Sequence, residues 1–473
     1  MFKRTIRAAV IGRIAYPLRF MTTGSSQRAI LHDDGPVSPE RAARRLAVSV
    51  RALGAVAPGT FVRIESGVDR SDPLEWLRDA PAGERRYFRD RSGKFECAGV
   101  GVAITSDFGA HAAVEQVGAA TQVQRAGVWF LALPFDRARP RDPAWERFDA
   151  HACVLPAIEH RREGELSLLA VQVGATTDRV RLIAQLEALA ERTASCAIEP
   201  ALVRESDGGG EEEWVAAVEA GLGRIRAGAL RKIVLARTRR YVASGVLDPV
   251  AVLARLAARE SRGFRFLIEA DVGHAFLGVT PERLLSRSGR TARSEAVAGT
   301  RPRGVDTVAD KLLGESLLAS AKDRREHELV IERVREALAA HATSLRVEAE
   351  PRLRRLAYVQ HLVTRVEAQL REGASDADLV RLLHPTPAVA GAPVVEAMAA
   401  LREFEPFDRG LYAGPVGVSS RDGAEVAVAI RSARVDGDRL TAFAGAGIVE
   451  GSDPIEEWRE TGHKLLGFER LAN

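Results

Sequence analysis

From Phe61 to Val173 the chain is written largely in short runs of strand-forming residues: FVRIES, GVGVAIT, GVWFLALPF and LSLLAVQV. Apolar and polar residues alternate within them, as expected of antiparallel strands with one buried face. The second half returns to the pattern in RKIVLART (around 232–238), FRFLIEA, AFLGV, YVQHLVTRVEA, LYAGPVGVSS and EVAVAIRSARV. Helical periodicity falls between these groups rather than after every strand, at 38–53, 178–194, 214–228 and 248–261, with one long helix predicted within 306–341. Grouped strands with intervening helices argue for an α+β class built on large antiparallel sheets rather than for βαβ repetition.

ESDGGGEEE at 205–213 interrupts the periodicity and predicts a Gly/acidic loop between an N-terminal part, 21–204, and a C-terminal part, 214–473. The first twenty residues, MFKRTIRAAVIGRIAYPLRF, carry Lys3, Arg4, Arg7, Arg13 and Arg19 and no acid. They lack the compact apolar segment and small-residue cleavage site of a secretion signal, so residues 1–20 are expected to be a dispensable basic extension.

An apolar share of 46% in 473 residues is ample for a sizeable core. No uncharged apolar run is long enough to span a bilayer. Net charge is only +4 and aromatic residues make up 5%, which argues against a nucleic-acid surface of clustered cations and stacking rings. Cys97, Cys153 and Cys196 are scattered without a CxxC pair, which disfavours a disulfide framework or zinc site and fits a reducing cytoplasm.

Chemistry concentrates in LTAFAGAGIVEGSDPIEEWRETGHK, residues 440–464. A short apolar strand is expected to turn through Gly445, Ala446 and Gly447 and to enter a helix near Ser452, Asp453 and Pro454, a capping residue followed by proline. On that helix Glu457, Glu460 and Lys464 share one face. Two neighbouring carboxylates repel unless a cation lies between them, and a Gly-rich turn exposes N–H groups suited to an anion. The plainer reading is a solvated face with one Glu–Lys pair. Elsewhere Lys232 precedes IVLAR, Glu282 follows a proline in VTPERLL, Glu326 lies on the long helix, and Arg431 interrupts VAVAI-R-SA. A charge within a strand is costly to bury without a partner or ligand, although each of these alone is more often a surface or strand-end charge.

RKIVLAR (231–237), GVTPERL (278–284), AVAGTRPRG (296–304), KDRREHELV (322–330), HPTPAVAG (384–391), AIRSA (429–433) and FAGAGIV…DPIEEWRETGHK (443–464) occur together in this order. The ordered set, spanning about 214–468, resembles the chorismate-utilising enzymes, and the isochorismate synthases most. The resemblance implies a single α+β unit with two large antiparallel sheets packed face to face and helices outside, so that 205–213 becomes a loop within one unit.

It also implies an activity: Mg²⁺-dependent isomerisation of chorismate to isochorismate, with water added at C2 and the C4 hydroxyl lost, feeding menaquinone, siderophore or salicylate formation. By motif position Lys232 is the base and Glu282 the acid. The first must be neutral to accept a proton and the second protonated to donate one. Glu326 and Glu460 are implied as Mg²⁺ ligands, with Glu457 a further ligand or the holder of a metal-bound water; Mg²⁺ favours such oxygen donors. Arg431, Lys464 and the backbone at Gly445 are implied to hold the enolpyruvyl carboxylate, for which a planar guanidinium is suited. Thr300 and His361 are further candidates for the pocket. His384 is another, although His361 and His384 are each more often core or loop histidines, and His327 is discounted as a ligand because adjacent helical residues point in different directions. Ala298 stands where aminodeoxychorismate synthases carry a nucleophilic lysine, and Ala388 where salicylate synthases tend to have threonine. Both favour isochorismate over the aminated or pyruvate-eliminated products of salicylate synthases and anthranilate-type relatives. The implied partner is the small molecule chorismate, with no nucleic acid, membrane or obligatory glutaminase subunit, on a monomer or dimer.

Overall fold

A computed structural model describes residues 18–23, 26–31, 35–57, 61–105, 127–191, 200–260, 262–420 and 422–472. Cys196 and residues 1–17 lie outside this set. Residues 18–20, the end of the expected extension, belong to the edge strand Leu18–Thr23, which pairs with Ser26–Leu31.

Among the described residues the strands form two sheets, one of fourteen strands and one of ten. The larger draws on both halves of the sequence, which meet where Arg85–Arg89 pairs with Phe264–Asp271. From there it continues through His274–Thr280, Ser432–Asp436 and Arg439–Ile448 to Lys232–Ala243. These pairings are antiparallel, as expected; near the sheet's outer edge Ser26–Leu31 runs parallel to Phe61–Gly67. The smaller sheet centres on Val359–Leu370, Thr291–Pro302, Arg283–Ser288, Gly423–Val428 and Pro415–Ser419.

The two-residue period of a strand sends its side chains to two cores. Phe266, Ile268 and Phe276 join Ile233 and Leu235 of the larger sheet and Leu131, Ala296, Val366 and Val426 of the smaller in one core between the sheets. Leu267, Ala275 and Leu277 point the other way, into a second core under the helices Pro39–Ala52, Pro249–Arg259 and Pro454–Ala472. Each fully buried aromatic or aliphatic side chain contributes roughly 1.5–3 kcal/mol of transfer free energy. The expected architecture of two antiparallel sheets face to face with helices outside is the one observed.

Four local expectations need correction. The segment 205–213 is mostly regular: 205–207 end the strand Leu202–Asp207 and 210–213 open the helix Gly210–Arg226, leaving Gly208 and Gly209 between them. The long helix in 306–341 is two, Thr307–Ala319 and Ala321–Ala339, because Ser320 is extended and its hydroxyl caps the second by accepting from Asp323 N at 3.2 Å. Gly445–Gly447 is not a turn. It lies in Arg439–Ile448, with Gly445, Ala446 and Gly447 opposite Ala236, Leu235 and Val234, so the strand ladder is there instead of an anion-binding nest. EVAVAIRSARV is likewise not one strand. Gly423–Val428 belongs to the smaller sheet and Ser432–Asp436 to the larger, so Arg431 stands in the crossover between sheets and escapes the ladder.

Candidate active site

The chain crosses between the sheets at two places that matter here. One is Pro281–Glu282, between His274–Thr280 and Arg283–Ser288; the other is residues 429–431. The crossovers are tied together. Val428 N donates to the Glu282 carbonyl at 3.0 Å, Val279 N to the Arg431 carbonyl at 3.0 Å, and the Thr280 hydroxyl to the Val428 carbonyl at 2.5 Å. A Cβ on Gly278 would lie 2.2 Å from the Arg431 carbonyl oxygen, so only glycine permits this approach. Glu282 and Arg431 therefore reach one cavity of about 150 Å³, closed on other sides by the helices Ala321–Ala339 and Pro454–Ala472.

All the predicted site residues except Lys232 and the candidate His384 line this cavity: Glu282, Thr300, Glu326, His361, Ala388, Arg431, Gly445, Glu457, Glu460 and Lys464. Ala298 lines it too. Lys232 stands one layer behind, 1% exposed, its Nζ 2.9 Å from Glu326 Oε1. Gly447 makes room for this pair, since a Cβ there would lie 2.5 Å from Glu326 Oε1 and 3.0 Å from Lys232 Cε. Gly447 therefore serves close approach.

Glu282 is 2% exposed and its Oε1 has no hydrogen-bond partner among the described residues. Burial raises its pKa to about 8, against the opposing attraction of Lys232 and with a contribution from Glu295. The carboxyl thus holds its proton at neutral pH. Burial also lowers Arg431 to about 10; Arg431 donates to the Lys464 carbonyl at 3.2 Å, and no carboxylate contacts its guanidinium among the described residues. His361 is held well below its usual range, by burial and then by the charges of Arg431 and Lys464. Its Nδ1 contacts the Gly299 carbonyl and Thr300 Oγ1, both at 3.2 Å, while Nε2 is unpartnered.

The C-terminal helix starts where its capping signal predicts: Asp453 Oδ1 accepts from Ile455 N and Glu456 N, both at 2.9 Å. Glu457, Glu460 and Lys464 share the face turned to the cavity. Burial, and next the neighbouring Glu460 charge, push Glu457 up to about 7. Lys322 Nζ lies 3.2 Å from Glu457 Oε1, and Lys464 Nζ 2.6 Å from Glu460 Oε1 and 2.8 Å from the Gly445 carbonyl. Among the described residues no group of three or more His, Cys, Asp or Glu converges enough to hold an ion. Each of the three glutamates contacts a lysine ammonium instead. The donor chemistry, three carboxylates lining one cavity, suits a hard divalent cation.

His327 stays outside the cavity: Nε2 meets Thr364 Oγ1 at 2.8 Å, and burial lowers the ring to about 4. His384 is not in the cavity either. It lines a separate apolar pocket with Leu133, Phe135 and Met398, its Nε2 3.2 Å from the Phe135 carbonyl. Lys322, Arg409 and Tyr412 line the site without having been singled out from the sequence. Lys322 precedes Glu326 by one helical turn, a spacing that could have found it. Arg409 and Tyr412 lie in a loop without periodicity.

Comparison with known proteins came to the same place. The family described as "Chorismate binding enzyme" matches residues 51–471. Isochorismate synthase MenF of Bacillus subtilis is 34% identical over 355 residues, covering 72% of this chain and 75% of the relative. The salicylate biosynthesis isochorismate synthase of Pseudomonas aeruginosa is 37% identical over 344 residues, 70% of this chain and 71% of the relative. The solved structure of the menaquinone-specific isochorismate synthase MenF of Escherichia coli superposes with a TM-score of 0.79 at 28% identity, covering 92% of this chain and 99% of that one.

Proposed function

The chain belongs to the chorismate binding enzymes, and from that premise we propose that it is an isochorismate synthase, an isomerase that turns chorismate into isochorismate. The observation that carries this reading is Glu282, a buried, unpartnered carboxyl facing the cavity and holding its proton to about pH 8. A group in that state can donate to a departing hydroxyl. In the proposed reaction Lys232 removes a proton from water as its oxygen bonds to C2, Glu282 protonates the C4 hydroxyl, and water leaves. One water enters and one departs, so the net change is isomerisation.

Arg431 would hold a substrate carboxylate: its guanidinium faces the cavity and meets no carboxylate among the described residues. Ala298 brings no amine, and Ala388 brings no hydroxyl, so neither offers a route to aminated or pyruvate-eliminated products. Mg²⁺ belongs to the proposal: Glu326, Glu457 and Glu460 would hold it, and it would supply positive charge to the ring carboxylate of chorismate.

The test is incubation of purified protein with chorismate and Mg²⁺, without an amine, with products separated by chromatography and isochorismate verified by a coupled isochorismatase. Isochorismate in equilibrium with chorismate is expected, and EDTA should abolish turnover. Release of salicylate and pyruvate in step with chorismate loss would make the protein a salicylate synthase instead. Full activity in chelator would remove the metal from the proposal.

A further inference from the structure

Behind the wall that carries Glu282 lies an open cleft of about 470 Å³ on the outer surface, lined by seven arginines and one acidic residue, Glu348. Its floor is Arg91, Arg283 and Arg354. All three converge on the buried carboxylate of Glu295, with contacts of 2.6 Å from Arg91, 2.8 Å from Arg354 and 3.5 Å from Arg283. Arg91 and Arg354 each also donate to the carbonyl of Pro281 at 3.0 Å. Arg262, Arg352, Arg355 and Arg365 complete the cleft.

The charges around the cleft do not balance. Beyond Glu295, Arg283 meets Glu425, Arg352 meets Glu348, and Arg355 meets Asp310, which is itself gripped by Arg303 at 2.6 and 2.9 Å. Among the described residues no carboxylate contacts the guanidinium of Arg262 or Arg365. Seven guanidinium groups thus share four carboxylates, one of which is divided with an eighth arginine. Like charges gathered in a concave surface focus a positive potential there. Planar guanidinium forks suit the oxygens of phosphate and carboxylate groups.

We propose that this cleft binds a small polyanion carrying two or more phosphate or carboxylate groups. Occupancy also bears on the active site. An anion on the floor competes with Glu295 and the Pro281 carbonyl for Arg91 and Arg354, loosening the backbone that places Glu282. The binding site stands without the chorismate reading, whereas its effect on turnover rests on that reading.

Calorimetric titration with pyrophosphate, and separately with citrate, in Mg²⁺-free buffer at about 0.15 M salt, where long-range surface attraction is screened, tests the site. Saturable binding of either is expected, with the preferred one identifying phosphate or carboxylate chemistry. The double variant Arg352→Ala/Arg365→Ala, which alters only exposed side chains, should weaken it at least tenfold, and Arg431→Ala should leave it unchanged. No saturable binding, undiminished binding in the double variant, loss in Arg431→Ala, or tighter binding of a short oligonucleotide than of either small anion would overturn the proposal. With free Mg²⁺ held constant, the bound anion should lower kcat with little change in KM for chorismate, and do so far less in the double variant. Binding with kcat unaltered would overturn the coupling through Glu295. Absence of turnover in unliganded wild type would defeat the isochorismate reading while leaving the calorimetry intact.

Discussion

Two regions of this molecule bury charge, and they do it differently. In the N-terminal part of the larger sheet, Arg63 holds Glu159 through two nitrogens at 2.9 Å and Glu65 at 2.7 Å, and Glu159 also accepts from Val128 N at 3.2 Å. Nearby, Arg85 grips Glu269 at 2.6 and 3.0 Å and Asp248 at 2.7 Å. Each of these pairs is complete, although Arg86, next along the strand and fully buried, meets only the Glu84 and Gly101 carbonyls and His151 among the described residues, with its Nε unpartnered. In the cavity, Glu282 lacks a partner on Oε1, His361 lacks one on Nε2, and Arg431 has no carboxylate. Burial is common to both regions, so burial alone does not mark function. Incomplete pairing alone does not either, as Arg86 shows; the cavity differs in gathering three incompletely paired groups around one space that a ligand could fill, where each would otherwise be destabilising.

The largest expected effects set the regions against each other. Lys232→Ala and Glu282→Gln should each reduce turnover by about 10²–10⁴-fold, the usual contribution of a general acid or base. Glu282→Gln should leave stability within about 1 kcal/mol, since it removes no hydrogen bond from the unpartnered oxygen. Glu159→Ala should do the reverse, destabilising by about 3–5 kcal/mol because Arg63 is left buried without its main counter-charge, with turnover per folded molecule unaffected. Denaturant titration and steady-state kinetics on the same preparations separate the cases. A fall of less than tenfold in both Lys232→Ala and Glu282→Gln would place the acid and base elsewhere.

Acidity should divide the regions next. Glu282 has a raised pKa in the folded protein, so its contribution to stability is present below the unfolded value of 4.5 and is lost as pH rises through about 8. Glu159 is lowered: although burial opposes this, Arg63 and then Arg161 prevail. Its contribution is present above the unfolded value and is lost as pH falls through its lower folded value. Activity that needs protonated Glu282 should decline about tenfold per unit above pH 8, and the alkaline limb near 8 should vanish in Glu282→Gln. A wild-type profile flat to pH 10 would show that Glu282 is not the proton donor.

Much of this was legible in the chain. Strand alternation gave the sheet class, Asp453–Pro454 gave the start of the last helix, and the ordered motifs marked Glu282, Arg431 and the acidic helix faces. What stayed hidden were properties of register and connection. EVAVAIRSARV reads as one strand because apolar content does not reveal that a chain changes sheets at Arg431. Gly445 and Gly447 read as a turn because glycine is ambiguous between a turn and a strand with something pressed against it. The Lys232–Glu326 contact joins residues 94 positions apart, beyond any local pattern. The carboxylates of the cavity were foreseen, as was the Glu–Lys pair on the last helix, but not Lys322 or its contact with Glu457.

Arg409 combines the pairing of the first region with a place in the second, and it gives the smallest and sharpest prediction. It lines the cavity, yet its donors point away into protein: Glu405 at 2.8 and 2.5 Å, the Val389 carbonyl at 2.8 Å and the Val234 carbonyl at 2.6 Å. Its guanidinium also lies 4.3 Å from the centre of the Phe135 ring. These bonds tie the loop bearing Ala388 to the strand that begins at Lys232, so Arg409 acts as a brace. Arg409→Lys keeps the charge but cannot span two carboxylate oxygens and two carbonyls with one ammonium, and should cost about 1–3 kcal/mol of stability. Because four of the five guanidinium N–H groups are already committed to protein, kcat/KM should stay within tenfold of wild type, unlike Arg431→Lys, which loses the fork facing the cavity. If Arg409→Lys instead abolishes activity with stability intact, Arg409 opens toward substrate during turnover. Complete pairing would then no longer separate structural from functional charge in this protein.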